Sequence, residues 1–108
     1  MNRQVKAIDD IIEGARPVFQ KYGIRRAILF GSFAKGRHTH KSDIDLILIQ
    51  ETDKRYFDRF DGILSDLHQN LRGRDIEVFI YTPQEFDSIS DRRFIRRALA
   101  EGQVIYEC

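Results

Sequence analysis

The sequence is poor in the features that would place it in a specialised class. It has one cysteine, Cys108, at the last of its 108 positions. A lone cysteine closes no intrachain disulfide, so an oxidising compartment is not required. No apolar run exceeds four residues, the longest being 27–30, 46–49 and 78–81. That excludes a membrane-spanning helix and the core of a signal peptide. Charge of one sign is lacking too: 18 Lys and Arg stand against 17 Asp and Glu, a formal net charge of +1. The overall balance gives no electrostatic case for nucleic acid or membrane, so any such case must be local. There is no internal repeat, low-complexity tract or interdomain linker. What is present, 42% hydrophobic and 32% charged residues, is the composition of a folded globular chain. The length predicts a single domain over residues 1–108, and the default location is the cytoplasm.

Helix-like and strand-like periodicities alternate, which predicts an α/β layer fold. Val5, Ile8, Ile12, Ala15 and Phe19 form an apolar helical face, with Gly14 and Pro17 predicting a kink or a break and Gly23 a stop. Residues 27–30 read as a buried strand ended by Gly31-Ser32, 36–42 as a polar loop, and Ile44–Ile49 as a strand covered on both faces. Tyr56, Phe57, Phe60, Ile63, Leu64, Leu67 and Leu71 have helical spacing, with Asp53 as candidate N-cap and Gly73 as stop. Ile76–Tyr81 is a third strand. Thr82-Pro83-Gln84-Glu85 is a helix start with a capping box. A last helix is predicted from about Asp91 to Glu101 with Phe94, Ile95, Ala98 and Leu99 inward, then an edge strand at 104–106.

Three features converge on one chemistry. Gly31-Ser32 follows a buried strand, where glycine lets the backbone approach a ligand closely. If residues 32–35 open a short helix, its free N–H groups and the Ser32 hydroxyl suit a phosphate. Asp43 and Asp45 lie two apart at a strand entrance, so they share a face with Cβ atoms about 7 Å apart at about 3.3 Å of rise per residue. Two such carboxylates repel each other, and a divalent cation between them removes the repulsion; oxygen ligands suit Mg²⁺ or Mn²⁺. Asp75 and Glu77 share a face of the next strand. If the strands are neighbours, a third carboxylate joins the pair, and three carboxylates can hold two ions about 4 Å apart, as in phosphoryl transfer.

Gly31-Ser32, ten intervening residues and Asp43-Ile44-Asp45 resemble the signature of the DNA polymerase β-like nucleotidyltransferase superfamily. Residues 31–36, 42–46, 77–86 and 102–106 are similar to its small prokaryotic branch, the minimal nucleotidyltransferases, and the likeness covers nearly the whole chain. The resemblance implies a polymerase β-like core, a small mixed β-sheet flanked by helices. It implies transfer of a nucleoside monophosphate from an NTP, AMP from ATP in the first instance, to an acceptor hydroxyl. It further implies two Mg²⁺ ions, with Mn²⁺ as a substitute, on Asp43, Asp45 and a third carboxylate. Glu77 stands where the family commonly has Asp, one methylene longer, and Asp75 is its rival. Gly31 and Ser32 would hold the β- and γ-phosphates, and Lys35 would touch the triphosphate. Phe33 departs from the Arg often found after Gly-Ser.

The chain holds a catalytic core and little else, so a partner chain or a second copy is expected to cover the nucleotide. In the minimal branch the partner is often a HEPN protein, a helical RNase-like toxin, with the nucleotidyltransferase as antitoxin. A binding-only antitoxin and an antibiotic-modifying enzyme are the competing functions. The run Arg92, Arg93, Arg96, Arg97 could contact RNA or an acidic partner, but reads first as a solvated helix face. His38 and His40 could bind a metal or touch the nucleotide, but read first as loop residues.

Overall fold

The computed structural model describes residues 3–108, with side chains from Val5 onward. Among these residues six strands and four α-helices follow in the order β1 (Arg3–Gln4), α1 (Ile8–Lys21), β2 (Ile24–Phe30), β3 (Ile44–Gln50), a 3-10 helix (Tyr56–Phe60), α2 (Ile63–Asn70), β4 (Leu71–Arg72), β5 (Ile76–Tyr81), α3 (Pro83–Ile89), α4 (Arg93–Glu101) and β6 (Gln103–Glu107). The main sheet has the order β5-β3-β2-β6 and is mixed: β2 runs antiparallel to β3 and β6, while β3 and β5 run parallel. β1 and β4 make a separate two-stranded parallel pair.

Period-two alternation splits β3 between two apolar layers. Ile44, Leu46 and Leu48 pack with Ile11, Ala15, Phe19, Ile63 and Leu67 of α1 and α2. Ile47 and Ile49 pack with Phe86, Ile95 and Ala98 of α3 and α4. Both faces of β3 are thus covered, as its unbroken apolar run requires. Each fully buried Leu or Ile contributes about 2 kcal/mol.

Several expectations need correction. The break considered at Pro17 does not occur: α1 runs through it, with Ile11, Ala15, Val18 and Phe19 buried, so burial of this stripe outweighs the lost backbone bond. The predicted single helix over 56–71 is two pieces. Gly62 between them has φ +81°, and a Cβ there would lie 2.6 Å from the Tyr22 hydroxyl, so only glycine allows the break. Arg55, not Asp53, is the N-cap of the first piece. Phe57 of the 56–71 apolar set is 85% exposed, and Phe94 and Leu99, expected inward, are 48% and 37% exposed. The Thr82 cap holds as predicted: Glu85 N–H donates to Thr82 Oγ1 at 3.1 Å and Thr82 N–H to Glu85 Oε1 at 3.0 Å.

Candidate active site

β2, β3 and β5 bring the candidate residues to one end of the sheet. Phe30 pairs with Asp45 across the antiparallel ladder, and Asp45 pairs with Glu77 across the parallel one. Register partners share a face, so Asp45 and Glu77 lie side by side on the α3–α4 side. Asp43 immediately precedes β3. Asp75 precedes β5, and its carbonyl accepts from Ile44 N–H at 2.9 Å. The conditional expectation that β3 and β5 are neighbours with aligned acids is therefore met. Of the two rivals, Glu77 is the register partner of Asp45, and Asp75 is engaged through its backbone.

Gly31 has φ +76°, and a Cβ built on it would lie 2.2 Å from Asp45 Oδ2. The carboxylate of Asp45 fills the space that any other residue's side chain would need. This binds the Gly-Ser turn to the acidic strand by direct packing. Residues 31–36 are a succession of turns rather than the short helix considered from sequence. Lys35 N–H donates to Gly31 C=O at 3.2 Å and Arg37 N–H to Ser32 C=O at 2.9 Å. Among the described residues, no backbone carbonyl accepts from the N–H of Ser32, Phe33 or Ala34, and the Ser32 hydroxyl has no partner. A row of free donors behind a sharp turn is suited to phosphate oxygens.

Burial, then the charges of Glu77 and Asp43, push the Asp45 carboxyl up from 3.8 to about 6. No cation answers this charge: among the described residues neither the Asp43 nor the Glu77 carboxylate has a hydrogen-bond or ion-pair partner. The donors are all hard oxygens around an excess of negative charge, which fits a divalent cation such as Mg²⁺. As they stand, no three His, Cys, Asp or Glu side chains among the described residues converge closely enough to hold an ion. Asp43 and Glu77 are exposed, so their side chains have room to turn inward.

The remaining candidates separate. Lys35 Nζ lies 3.0 Å from Glu101 Oε2, and Arg97 Nε donates to Glu101 Oε1 at 2.9 Å. Lys35 is therefore engaged by α4 across a cleft of about 100 Å³ lined by Phe30, Gly31, Phe94 and Ala98. His38 is not a solvated loop residue. Its ring stacks on the buried Phe33 at 4.2 Å and 10°, and its Nε2 is 3.1 Å from Lys6 C=O. His40 is exposed, as are Arg92, Arg93, Arg96 and Arg97. Sequence reasoning missed Arg74, whose Nη1 donates to Thr39 and Ser42 carbonyls and whose Nε donates to Val5 C=O. It also missed Arg59, which pairs with Glu85. An arginine gives no periodic signal, and backbone carbonyls leave no mark on a sequence.

Residues 13–108 match the family model "Polymerase beta, Nucleotidyltransferase". A "putative protein adenylyltransferase" of Methanocaldococcus jannaschii is 31% identical over 109 residues, covering 98% of this chain and 100% of the relative. A second chain of the same description and organism is 30% identical over 68% of this chain and 77% of its own. Among solved structures, a "putative nucleotidyltransferase" from Sulfolobus solfataricus superposes with TM-score 0.56 at 17% identity, over 99% of this chain and 92% of that one. A toxin-antitoxin crystallised with AMP-PNP superposes with TM-score 0.58 at 12% identity, over 90% and 73%. The mixed sheet flanked by helices is the fold these structures share. The chain belongs to the polymerase beta nucleotidyltransferase family and is a nucleotidyltransferase.

Proposed function

We propose that the protein transfers AMP from ATP to a hydroxyl group on a partner protein, with Asp43, Asp45 and Glu77 as its catalytic carboxylates. The observation that carries this is the packing of the Asp45 carboxylate against Gly31, with Glu77 as register partner. Acids and phosphate donors share one small site. The relatives described as protein adenylyltransferases support AMP as the group moved and protein as the acceptor.

The chain's own residues position the reactants. The N–H groups of residues 32–34 and the Ser32 hydroxyl bind the β- and γ-phosphates, and Gly31 lets them approach. Lys35 exchanges Glu101 for a phosphate oxygen. The acceptor oxygen attacks the α-phosphorus, the bond from that phosphorus to the bridging oxygen breaks, and pyrophosphate leaves. Glu77, exposed beside Asp45, takes the acceptor proton. Asp43, Asp45 and Glu77 would hold two Mg²⁺ ions, or Mn²⁺, which supply Lewis-acid stabilisation of the charge on attacking and leaving oxygens. Little covalent chemistry is asked of the protein itself.

The partner proposed is a HEPN-type toxin in the cytoplasm, in keeping with the toxin-antitoxin among the structures of the same fold. No helix among the described residues is long and apolar enough to cross a membrane. The whole chain, 1–108, is proposed to act as one catalytic unit whose nucleotide the partner covers. Incubation with Mg²⁺ and ATP labelled at the α-phosphate, with and without the product of the neighbouring gene, tests the reading. Label on the partner is the expected result. A tight complex without label means a binding-only antitoxin and overturns it. Label on an antibiotic, added to a parallel incubation in place of the partner, moves the acceptor to a small molecule.

A further inference from the structure

We propose that Arg74 is a positioning residue for the transfer, holding the loop ahead of β3 so that Asp43 and Asp45 face the Gly31–Ser32 turn. This rests on the reading above for what the acids do, but its geometry stands apart from it. Nη1 of Arg74 donates to Thr39 C=O at 2.7 Å and to Ser42 C=O at 2.9 Å, and Nε donates to Val5 C=O at 3.0 Å. The next residue in the chain accepts from Ile44 N–H. Asp43 is thus fastened on both sides, through Ser42 by Arg74 and through Ile44 by Asp75.

The same guanidinium reaches the phosphate turn. Its Cζ lies 4.7 Å from the ring centroid of Phe33, which is fully buried and stacks on His38. Phe33 follows Ser32 directly, so one side chain spans the phosphate turn, the loop, the entrance to β5 and the N-terminal segment. All three acceptors are backbone carbonyls, two in the loop ahead of β3 and one in the N-terminal segment, and Arg74 forms no ion pair among the described residues. A charge met by carbonyls and a ring acts on chain geometry. Lysine cannot take this place, because it offers one compact charge where a flat fork and an aromatic face are used.

The test uses the full chain as parent, Arg74→Ala and Arg74→Lys. Transfer kinetics, calorimetric binding of a non-hydrolysable ATP analogue, and amide hydrogen exchange at residues 42–45 are measured together. Arg74→Ala is expected to lose roughly 100-fold in kcat, the cost of a misplacement near 1 Å. KM for ATP and analogue affinity stay within about threefold, exchange at Ser42 and Ile44, whose N–H groups donate to Thr39 and Asp75 carbonyls, quickens at least tenfold, and Arg74→Lys falls between. A folded Arg74→Ala with parental kcat, or a loss confined to KM, overturns the proposal. Should Arg74→Ala not fold, Arg74→Lys decides: a kcat loss larger than its unfolded fraction supports the role, and one equal to that fraction overturns it. Should the parent transfer no label, the transferase reading fails alone, and unchanged exchange at 42–45 in Arg74→Lys then overturns the positioning role while faster exchange upholds it.

Discussion

The parallel strands β3 and β5 carry carboxylates at both ends, and the ends treat them oppositely. Beyond the C-terminal end, Glu85 meets Arg59 in a two-pronged pair, Nη1 to Oε1 at 2.6 Å and Nη2 to Oε2 at 2.9 Å. The same arginine donates to Ile80 C=O and Lys54 C=O. The Arg59 guanidinium and the Thr82 N–H hold the Glu85 carboxyl down at about 2. At the N-terminal end, Asp45 is pushed up to about 6 by burial and by Glu77 and Asp43. One end is electrostatically complete within the chain. The other is built at a cost that a proton or an added cation relieves, as functional sites often are.

Asp45→Asn separates the two ends most strongly. Asparagine keeps the shape that packs on Gly31 and discards the charge. Transfer of label is expected to fall by roughly a thousandfold or more. In the absence of divalent cations at pH 7.5, stability is expected to rise by about 1 kcal/mol, discounted for the partial exposure of the group. Calorimetric melting reads this as an increase of several degrees. A variant as active as the parent, or a less stable one, would remove the distinction between the ends.

Gly31→Ala comes next. It forces a Cβ to within 2.2 Å of Asp45 Oδ2 and places alanine at φ +76°. A loss of roughly 100-fold in transfer is expected, with about 1–2 kcal/mol of stability for the backbone strain alone. The steric part is separable. In an Asp45→Ala background the same change should cost less stability, and a full-size cost in both backgrounds would show that Asp45 does not occupy that space.

At the other end, Arg59→Met is expected to cost about 2 kcal/mol, because it strips donors from two carbonyls and from Glu85. Label transfer per folded molecule should stay at the parental level, measured below the melting transition. An active-site defect without lost stability would mean that the ends are coupled.

How far the sequence reached follows the same division. Asp43, Asp45, Gly31 and Ser32 were legible because strand periodicity puts acids two apart on one face and a Gly-Ser pair after an apolar run marks a turn. That an acid of the third strand joins the pair needed only the assumption that β3 and β5 are adjacent, whereas the pairing of Glu77 rather than Asp75 with Asp45 needed their register. Thr82 and Glu85 were legible as a cap because a cap is local. The tie from Glu85 to Arg59 was not, since 26 residues separate them. The break at Gly62 depends on Tyr22, and the placement of His38 depends on Phe33 and Lys6. These are facts of tertiary packing, which no window along the chain contains.

The smallest expected effect is also the one that reads both ends in a single titration. Asp45 binds its proton more tightly folded than unfolded, about 6 against 3.8, so its penalty is fully present above pH 6 and is relieved as the pH falls through that window. Glu85 does the reverse: its stabilisation is present above 4.5 and is lost as the pH falls toward about 2. Asp66, held low by Lys21 and Tyr22, and Glu101, held low by Lys35 and Arg97, act in the same direction as Glu85. Stability measured by denaturant unfolding without divalent cations should therefore peak between pH 4.5 and 6 rather than at neutrality. In Asp45→Asn the rise on the alkaline side of that peak should vanish while the acid limb stays. In Glu85→Gln the acid limb should shrink while the rise stays. Excess Mg²⁺ should flatten the rise in the parent and leave Asp45→Asn unmoved. A parent curve that climbs steadily from pH 4.5 to 7.5 without Mg²⁺ would show that the acids at the N-terminal end do not strain the fold.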